Sequence, residues 1–309
     1  MNKILHIFLI CLFSLTVISC AEKEESTDST TTTTSSGLYV AVGITGTILT
    51  SADATTWTSR TSGTSNNLWA HSSGNGVSII VGDNGTILTS TDGTTWTSRT
   101  SGTSNYLAGV TYGNSTFVTV GDNGTILTST DATTWTSRTS GISKWIDAPI
   151  YKNSTFMTIG QDGVILTSTD GTTWTSRTSG TSNDFYDVTY GNSTFVAVGD
   201  LGQIFTSSDG TSWDNRTSGT TNDLTGVDYG NSTFVAVGMN GTILSSADGI
   251  TWTSRTSGTT VGFTGFDYGN SIFVAVGFSG LISTSTDGIT WTARTSGTSI
   301  QLTGVDYKE

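Results

Sequence analysis

Five carboxylates, Asp147, Asp162, Asp184, Asp187 and Asp223, stand outside the positions that this chain repeats most regularly. Hydrolysis of a glycosidic bond needs two such groups, about 5 Å apart for a retaining mechanism and further for an inverting one. A carboxylate-based glycoside hydrolase would be assembled from this set, and it is kept as an alternative. The rest of the catalytic inventory is thin. No Glu occurs from residue 26 to residue 308, and His71 is the single His beyond His6. A His-based metal cluster therefore has no ligands, and a Ser-His-Asp triad would have to be built on His71. That residue shares its column with Val110, Pro149, Val188, Val227, Phe266 and Val305, so it reads as a substitution at a core position. No loop has the ligand spacing of an EF-hand. The chain is expected to use no metal, no cofactor and no catalytic residue.

Recognition is better supplied. Trp69, Tyr106, Lys144, Trp145, Asp147, Asp162, Asp184, Tyr186 and Asp187 are the most distinctive departures from the repeated pattern. Exposed aromatic rings beside carboxylates stack on sugars or anchor a protein partner. The favoured reading is non-enzymatic binding of a glycan or an envelope protein by a monomer. A purely structural surface module is the other alternative. Nucleic acid is excluded by charge: the chain carries a net −12, and the Arg residues of the repeats, from Arg60 to Arg294, are spread one per copy. Phosphate backbones need clustered Lys and Arg.

The elements that must position these side chains are set by a strict repeat. Trp57, Trp96, Trp135, Trp174, Trp213, Trp252 and Trp291 are separated by 39 residues each time, and 37–309 spans seven such periods without an insertion. A fixed period of this size means a repeat architecture. Within one unit, "LAGVTY" (107–112), "TFVTVG" (116–121), "TILTS" (125–129) and "TWTSRT" (134–139) are four β-rich runs separated by turn residues. The fold predicted is all-β: a seven-bladed β-propeller of four-stranded blades. Its folded part starts in mid-unit at "LYVAVG" (38–43) and ends on a lone first strand, "LTGVDY" (302–307). The C-terminal strand is thus expected to complete the blade begun by the three N-terminal strands and close the ring. An open solenoid of the same units would have no reason to split one.

Each copy carries Ser-x-Asp-x-x-Thr/Ser-Trp, with Asp53, Asp92, Asp131, Asp170, Asp209, Asp248 and Asp287 four residues before their Trp. This phrase resembles the Asp-box of bacterial neuraminidase-repeat proteins. The wider unit "FVAVGDNGTILTSTDGTTW" is similar to the repeats of the photosystem II assembly-factor family, which is also seven-bladed. Three residues separate Asp from Trp here, where the usual box has four, so a tighter turn is expected. The resemblance implies that the Asp accepts hydrogen bonds within a hairpin while a buried Trp fills the gap between sheets, a structural staple with no catalytic part. Many Asp-box propellers are sialidases, which use an Arg cluster and a Tyr–Glu pair. This sequence has neither a Glu within its repeats nor Arg residues set apart to converge.

Copy-to-copy variation falls in two connections, the turn after strand two and the linker into the next blade. In an up-and-down blade these emerge on one face. Loops on a rigid scaffold carry recognition, so this face, holding the distinctive residues of four neighbouring blades, is the expected binding surface.

The N-terminus has Lys3 followed by an apolar run over 4–18, the pattern of a secretory signal. "VISC" (17–20) resembles a bacterial lipobox, which implies a signal peptide over 1–19 and lipidation of Cys20. Cys11 would be discarded, leaving no disulfide. Residues 20–36 read as the lipidated Cys and a flexible Ser/Thr-rich tether, ahead of the propeller at 37–309. Ala21 is not the Asp of the inner-membrane retention rule, and "KEE" (23–25) resembles the surface-export signal of Bacteroidetes lipoproteins. The expected location is the cell envelope, at the outer membrane, held by the lipid alone.

Overall fold

Short runs of β-branched and aromatic residues punctuated by Gly, Asn and Asp favour strands joined by tight turns, and each unit folds accordingly. The computed structural model describes residues 37–308 and contains seven four-stranded antiparallel sheets. The expected signal peptide, Cys20 and the tether lie outside the described residues. Among the described residues no helix is long and apolar enough to cross a membrane.

The unit read above consists of strands Leu107–Gly113, Thr116–Gly121, Ile126–Ser129 and Thr136–Arg138, adjacent in that order. Thr125 lies before the third strand, because its backbone N–H closes the 3-10 turn Asp122–Gly124 on the Asp122 carbonyl. The first strand of every unit packs against the first strand of the next, from Leu68–Gly74 round to Leu302–Lys308 and back. These seven strands line an axial channel, and the fold is a seven-bladed β-propeller. Blade 1 is the one shared by both ends of the chain, and blades 2 to 7 begin at Leu68, Leu107, Ile146, Phe185, Leu224 and Phe263.

Closure follows the sequence expectation. Leu302–Lys308 pairs antiparallel with Leu38–Gly43, from Leu38 opposite Lys308 to Gly43 opposite Leu302. The buried Tyr39 hydroxyl donates to the Gly269 carbonyl at 2.5 Å, tying this blade to blade 7. Between neighbouring blades lie apolar clusters: Ile79, Val81 and Ile87 of blade 2 meet Leu107, Val110, Phe117 and Leu127 of blade 3, with Trp135 against them.

The seven repeat Trp side chains do pack on these clusters, but they are half-buried instead of fully buried. Each stands where the chain enters its outermost strand, at the margin of the sheet. The preceding turn is built on its Asp. In blade 2, Asp92 Oδ1 accepts the N–H groups of Thr94 and Thr95 at 2.7 and 2.8 Å and the Ser90 hydroxyl at 2.9 Å. The backbone bonds from Thr95 and Thr94 hold that carboxyl well below the usual range. Each Arg of the repeat is likewise committed at the outer strand, its Nε donating to a Thr or Ser hydroxyl of the third strand at 2.7–2.8 Å.

Candidate binding face and channel mouth

The two variable connections meet on one face, and backbone bonds show why. Asp83 N donates to Asn67 O at 2.9 Å, Asp122 N to Tyr106 O at 3.0 Å, Gln161 N to Trp145 O at 3.1 Å and Asp200 N to Asp184 O at 3.0 Å. Each 3-10 turn therefore lies on the linker that enters its own blade. The second residue of the turn is left-handed in every blade, a conformation suited to Asn and Asp. Blade 5 places Leu201 there, at φ 54° and 64% exposed.

One residue into the inner strand the register slips. Leu68 faces Gly82 and Ala70 faces Val81, so Trp69 is bulged out of the ladder. The same slip bulges Ala108, Tyr186, Thr225, Thr264 and Thr303 in blades 3, 5, 6, 7 and 1. In blade 4 it is displaced to lie between Asp147 and Ile150, where Pro149 has no N–H to pair and Ala148 is left-handed at φ 44°. Bulges re-aim side chains, and here they ring the channel mouth.

The ring has two unlike halves. Thr225, Thr264 and Thr303 each donate to the first inner-strand carbonyl of the next blade, Phe263 O, Leu302 O and Leu68 O, at 2.9, 2.5 and 2.5 Å. These hydroxyls clamp blade to blade. Blades 2 to 5 carry Trp69, Ala108, Asp147 and Tyr186 instead, and no corresponding clamp is made there.

The distinctive residues of the sequence fall on this second half. Trp69 meets Tyr106 edge-on at 5.3 Å between ring centroids, and its indole N–H donates to Asp83 at 2.7 Å. Trp145 lies parallel to Tyr186 at 6.1 Å, and the Tyr186 hydroxyl donates to Asp200 at 2.6 Å. These rings are half-buried, not fully exposed, because they pack in pairs across blade junctions. Lys144 pairs with Asp162 at 3.2 Å. Asp184 and Asp223 accept turn N–H groups from Asp162 and Leu201 at 2.8 and 2.9 Å.

Asp147 and Asp187 face the channel. Below Trp69, Tyr106 and Tyr186 the mouth opens into a cavity of about 320 Å³ that both carboxylates line. Asp187 is fully engaged, accepting Val188 N and Val227 N at 2.8 Å each. Burial pushes it well above the usual carboxylate range despite those bonds. Asp147 Oδ1 accepts Ala148 N at 2.6 Å, while Oδ2 has no hydrogen-bond partner among the described residues. Burial raises this carboxyl to about 6.

Sequence reasoning passed over a second acidic set. Asp228, Asp267 and Asp306 look like one more repeated column, yet in the other four blades that position is Ser72, Thr111, Ile150 and Thr189. Asp228 Oδ2 accepts Tyr268 N at 2.8 Å and Asp267 Oδ2 accepts Tyr307 N at 2.9 Å, each reaching the next inner strand. Asp306 meets His71 Nδ1 at 2.8 Å. His71 is thus buried as its column implied, but it is tied to a carboxylate. Ala108, the small bulged residue of blade 3, was also missed. Reading the column one place after each first inner-strand apolar residue would have exposed it.

No protein-family model matches this chain, and no curated protein matches it. Solved structures do share the fold. YCF48 bound to D1 peptide is 20% identical with a TM-score of 0.61, covering 74% of this chain and 80% of that one. YCF48 from Cyanidioschyzon merolae is 15% identical with a TM-score of 0.61, over 75% and 86%. The computationally designed Ika8 protein is 14% identical with a TM-score of 0.64, over 86% of both chains. At such identities the likeness is one of architecture.

Proposed function

We propose that this chain is a non-enzymatic binding protein that docks a partner protein on its variable face, at the half formed by blades 2 to 5. The observation that carries this reading is the divided ring at the second inner-strand position. Three blades use the position to clamp their neighbour, whereas four present Trp69, Ala108, Asp147 and Tyr186 without that benefit to stability. Residues that break a locally stabilising pattern mark sites of function. The similarity of fold to YCF48, whose structure with D1 peptide has a propeller and a peptide together, supports a protein ligand.

The carboxylates speak against hydrolysis. Asp187, Asp184 and Asp223 accept backbone N–H groups and Asp162 is ion-paired, so Asp147 has no free partner with which to divide acid and base roles. A glycan is the second reading, favoured by the parallel Trp145 and Tyr186 rings. The lipobox-like "VISC" and the Ser/Thr-rich tether place the propeller, in this reading, in the cell envelope on a lipid at Cys20, with the Asp-box turns as structural staples. The test is capture of envelope proteins by the full chain beside its Trp69→Ala/Trp145→Ala variant, with a glycan array in parallel. Partner capture lost in the folded variant is the expected result. Equal capture by both proteins would move the site off this face, and variant-sensitive array binding without protein capture would make the ligand a glycan.

A further inference from the structure

We infer that the channel mouth on the variable face receives one basic side chain, an Arg or Lys carried on an exposed segment of the partner protein. The inference rests on the protein-binding reading above and adds the chemistry of the anchor.

The cavity is walled by Trp69, Tyr106 and Tyr186 at its rim and by Asp147, Asp187 and His71 deeper in, and no Lys or Arg lines it among the described residues. The other end of the channel is different. There Lys152 and Lys308 line a cavity of about 790 Å³ together with Asp228, Asp267 and Asp306, so that end already holds cationic side chains. At the mouth, ring faces and carboxylates stand together with no internal cation.

Aromatic faces attract a cation through their quadrupole, and a guanidinium also stacks flat on them. Asp147 Oδ2 is an acceptor without a donor. His71 is sealed in the wall and offers a guest no open acceptor. Its side chain has no exposed surface and its Nε2 has no partner. A guanidinium brings five N–H donors and no acceptor, which suits the open Asp147 Oδ2. The acidic balance of the chain also draws a basic segment toward it. A neutral sugar would leave the Asp147 charge uncompensated.

The test uses the full chain with Cys20→Ser and three blocked pentapeptides, Gly-Gly-Arg-Gly-Gly, its Lys counterpart, and a citrulline counterpart that is neutral and nearly isosteric with Arg. Binding is followed by calorimetry and indole fluorescence. The Arg peptide is expected to bind saturably at millimolar concentration or tighter. The citrulline peptide should bind on the order of tenfold more weakly, as should the Arg peptide on Asp147→Asn or Tyr106→Leu, a factor worth about 1.4 kcal/mol. Added salt should weaken the Arg complex. Equal affinity for Arg and citrulline peptides, indifference to both variants, or no saturation by any peptide would overturn the inference. A neutral oligosaccharide that saturates the fluorescence change where the Arg peptide does not would put a glycan in the mouth and overturn it too. Protein capture lost in Trp69→Ala/Trp145→Ala but intact in Asp147→Asn and Tyr106→Leu would keep the docking face and remove the basic anchor.

Discussion

Replacing Asp147 by Asn should make this protein more stable at neutral pH while impairing what it binds. Asn is nearly isosteric, and its Oδ1 can keep the Ala148 N–H bond now made at 2.6 Å. What disappears is an ionisation that burial disfavours, raising the carboxyl from 3.8 to about 6. Between those two values the folded protein holds a proton that the unfolded chain has released. Unfolding then sheds the proton, so the contribution of Asp147 to stability falls as pH rises through this window and levels off above it. A gap of roughly two pKa units corresponds to about 3 kcal/mol. Cavity water next to the carboxylate screens part of that, so an effect of about 1–3 kcal/mol is expected. Urea unfolding of both proteins at pH 4, 5, 6 and 7 measures it; the more distant carboxylates cancel in the difference, whereas Asp187, which the Asp147 charge helps to raise, adds to it in the same direction. The two should agree at pH 4, with Asn ahead at pH 7. A difference that stays flat from pH 4 to pH 7, or an Asn variant less stable at pH 7, would refute the assignment of Asp147 as an unclamped buried charge.

The clamped carboxylates should gain less from the same change. Asp187→Asn and Asp228→Asn also remove an ionisation that burial disfavours, but they turn an amide N–H₂ toward a backbone donor, a cost of about 1–3 kcal/mol, so in the same urea assay at pH 7 they should fall below Asp147→Asn. Leu201→Asn relieves a left-handed Leu and should add about 1 kcal/mol to stability, seen as a higher denaturation midpoint. The turn carboxylates, such as Asp92 and Asp170, are held low by hydrogen bonds to the folded backbone. They therefore contribute stability that is present above the unfolded carboxylate range and is lost as pH falls below it. Acid titration by circular dichroism should show cooperative unfolding below about pH 4, shifted upward in an Asp92→Ala/Asp170→Ala variant. Truncation after Gly297 bares the edge of Leu38–Gly43 and should yield aggregates in size-exclusion chromatography.

Much of the architecture was legible because a period of 39 allows no ambiguity in blade number, and because the half-unit at each end implies a shared blade. The grouping of the variable connections on one face also follows from strand order alone. What the repeat hid was the inner strand. A bulge at its second residue turns Trp69 and Tyr186 to the channel mouth, in blade 4 the slip falls just after Asp147, and no alternation of apolar and polar letters reveals a slip of one residue. Asp228, Asp267 and Asp306 escaped for a related reason: three successive copies read as a conserved column, although their role is to reach the neighbouring blade's N–H groups or, for Asp306, His71. The burial of the repeat Trp was overestimated because the phrase is silent on which sheet margin it occupies.

The measurement that bears most directly on a binding role for the variable face is amide hydrogen exchange of the full chain with and without its captured partner. Protection is predicted in the 3-10 turns and linkers of blades 2 to 5, including Asp83–Gly85, Asp122–Gly124 and Gln161–Gly163. The opposite-face Gly-Asn turns at 113–114, 191–192 and 230–231 should be unchanged. Protection confined to those opposite turns, with the variable face unaltered, would contradict the account.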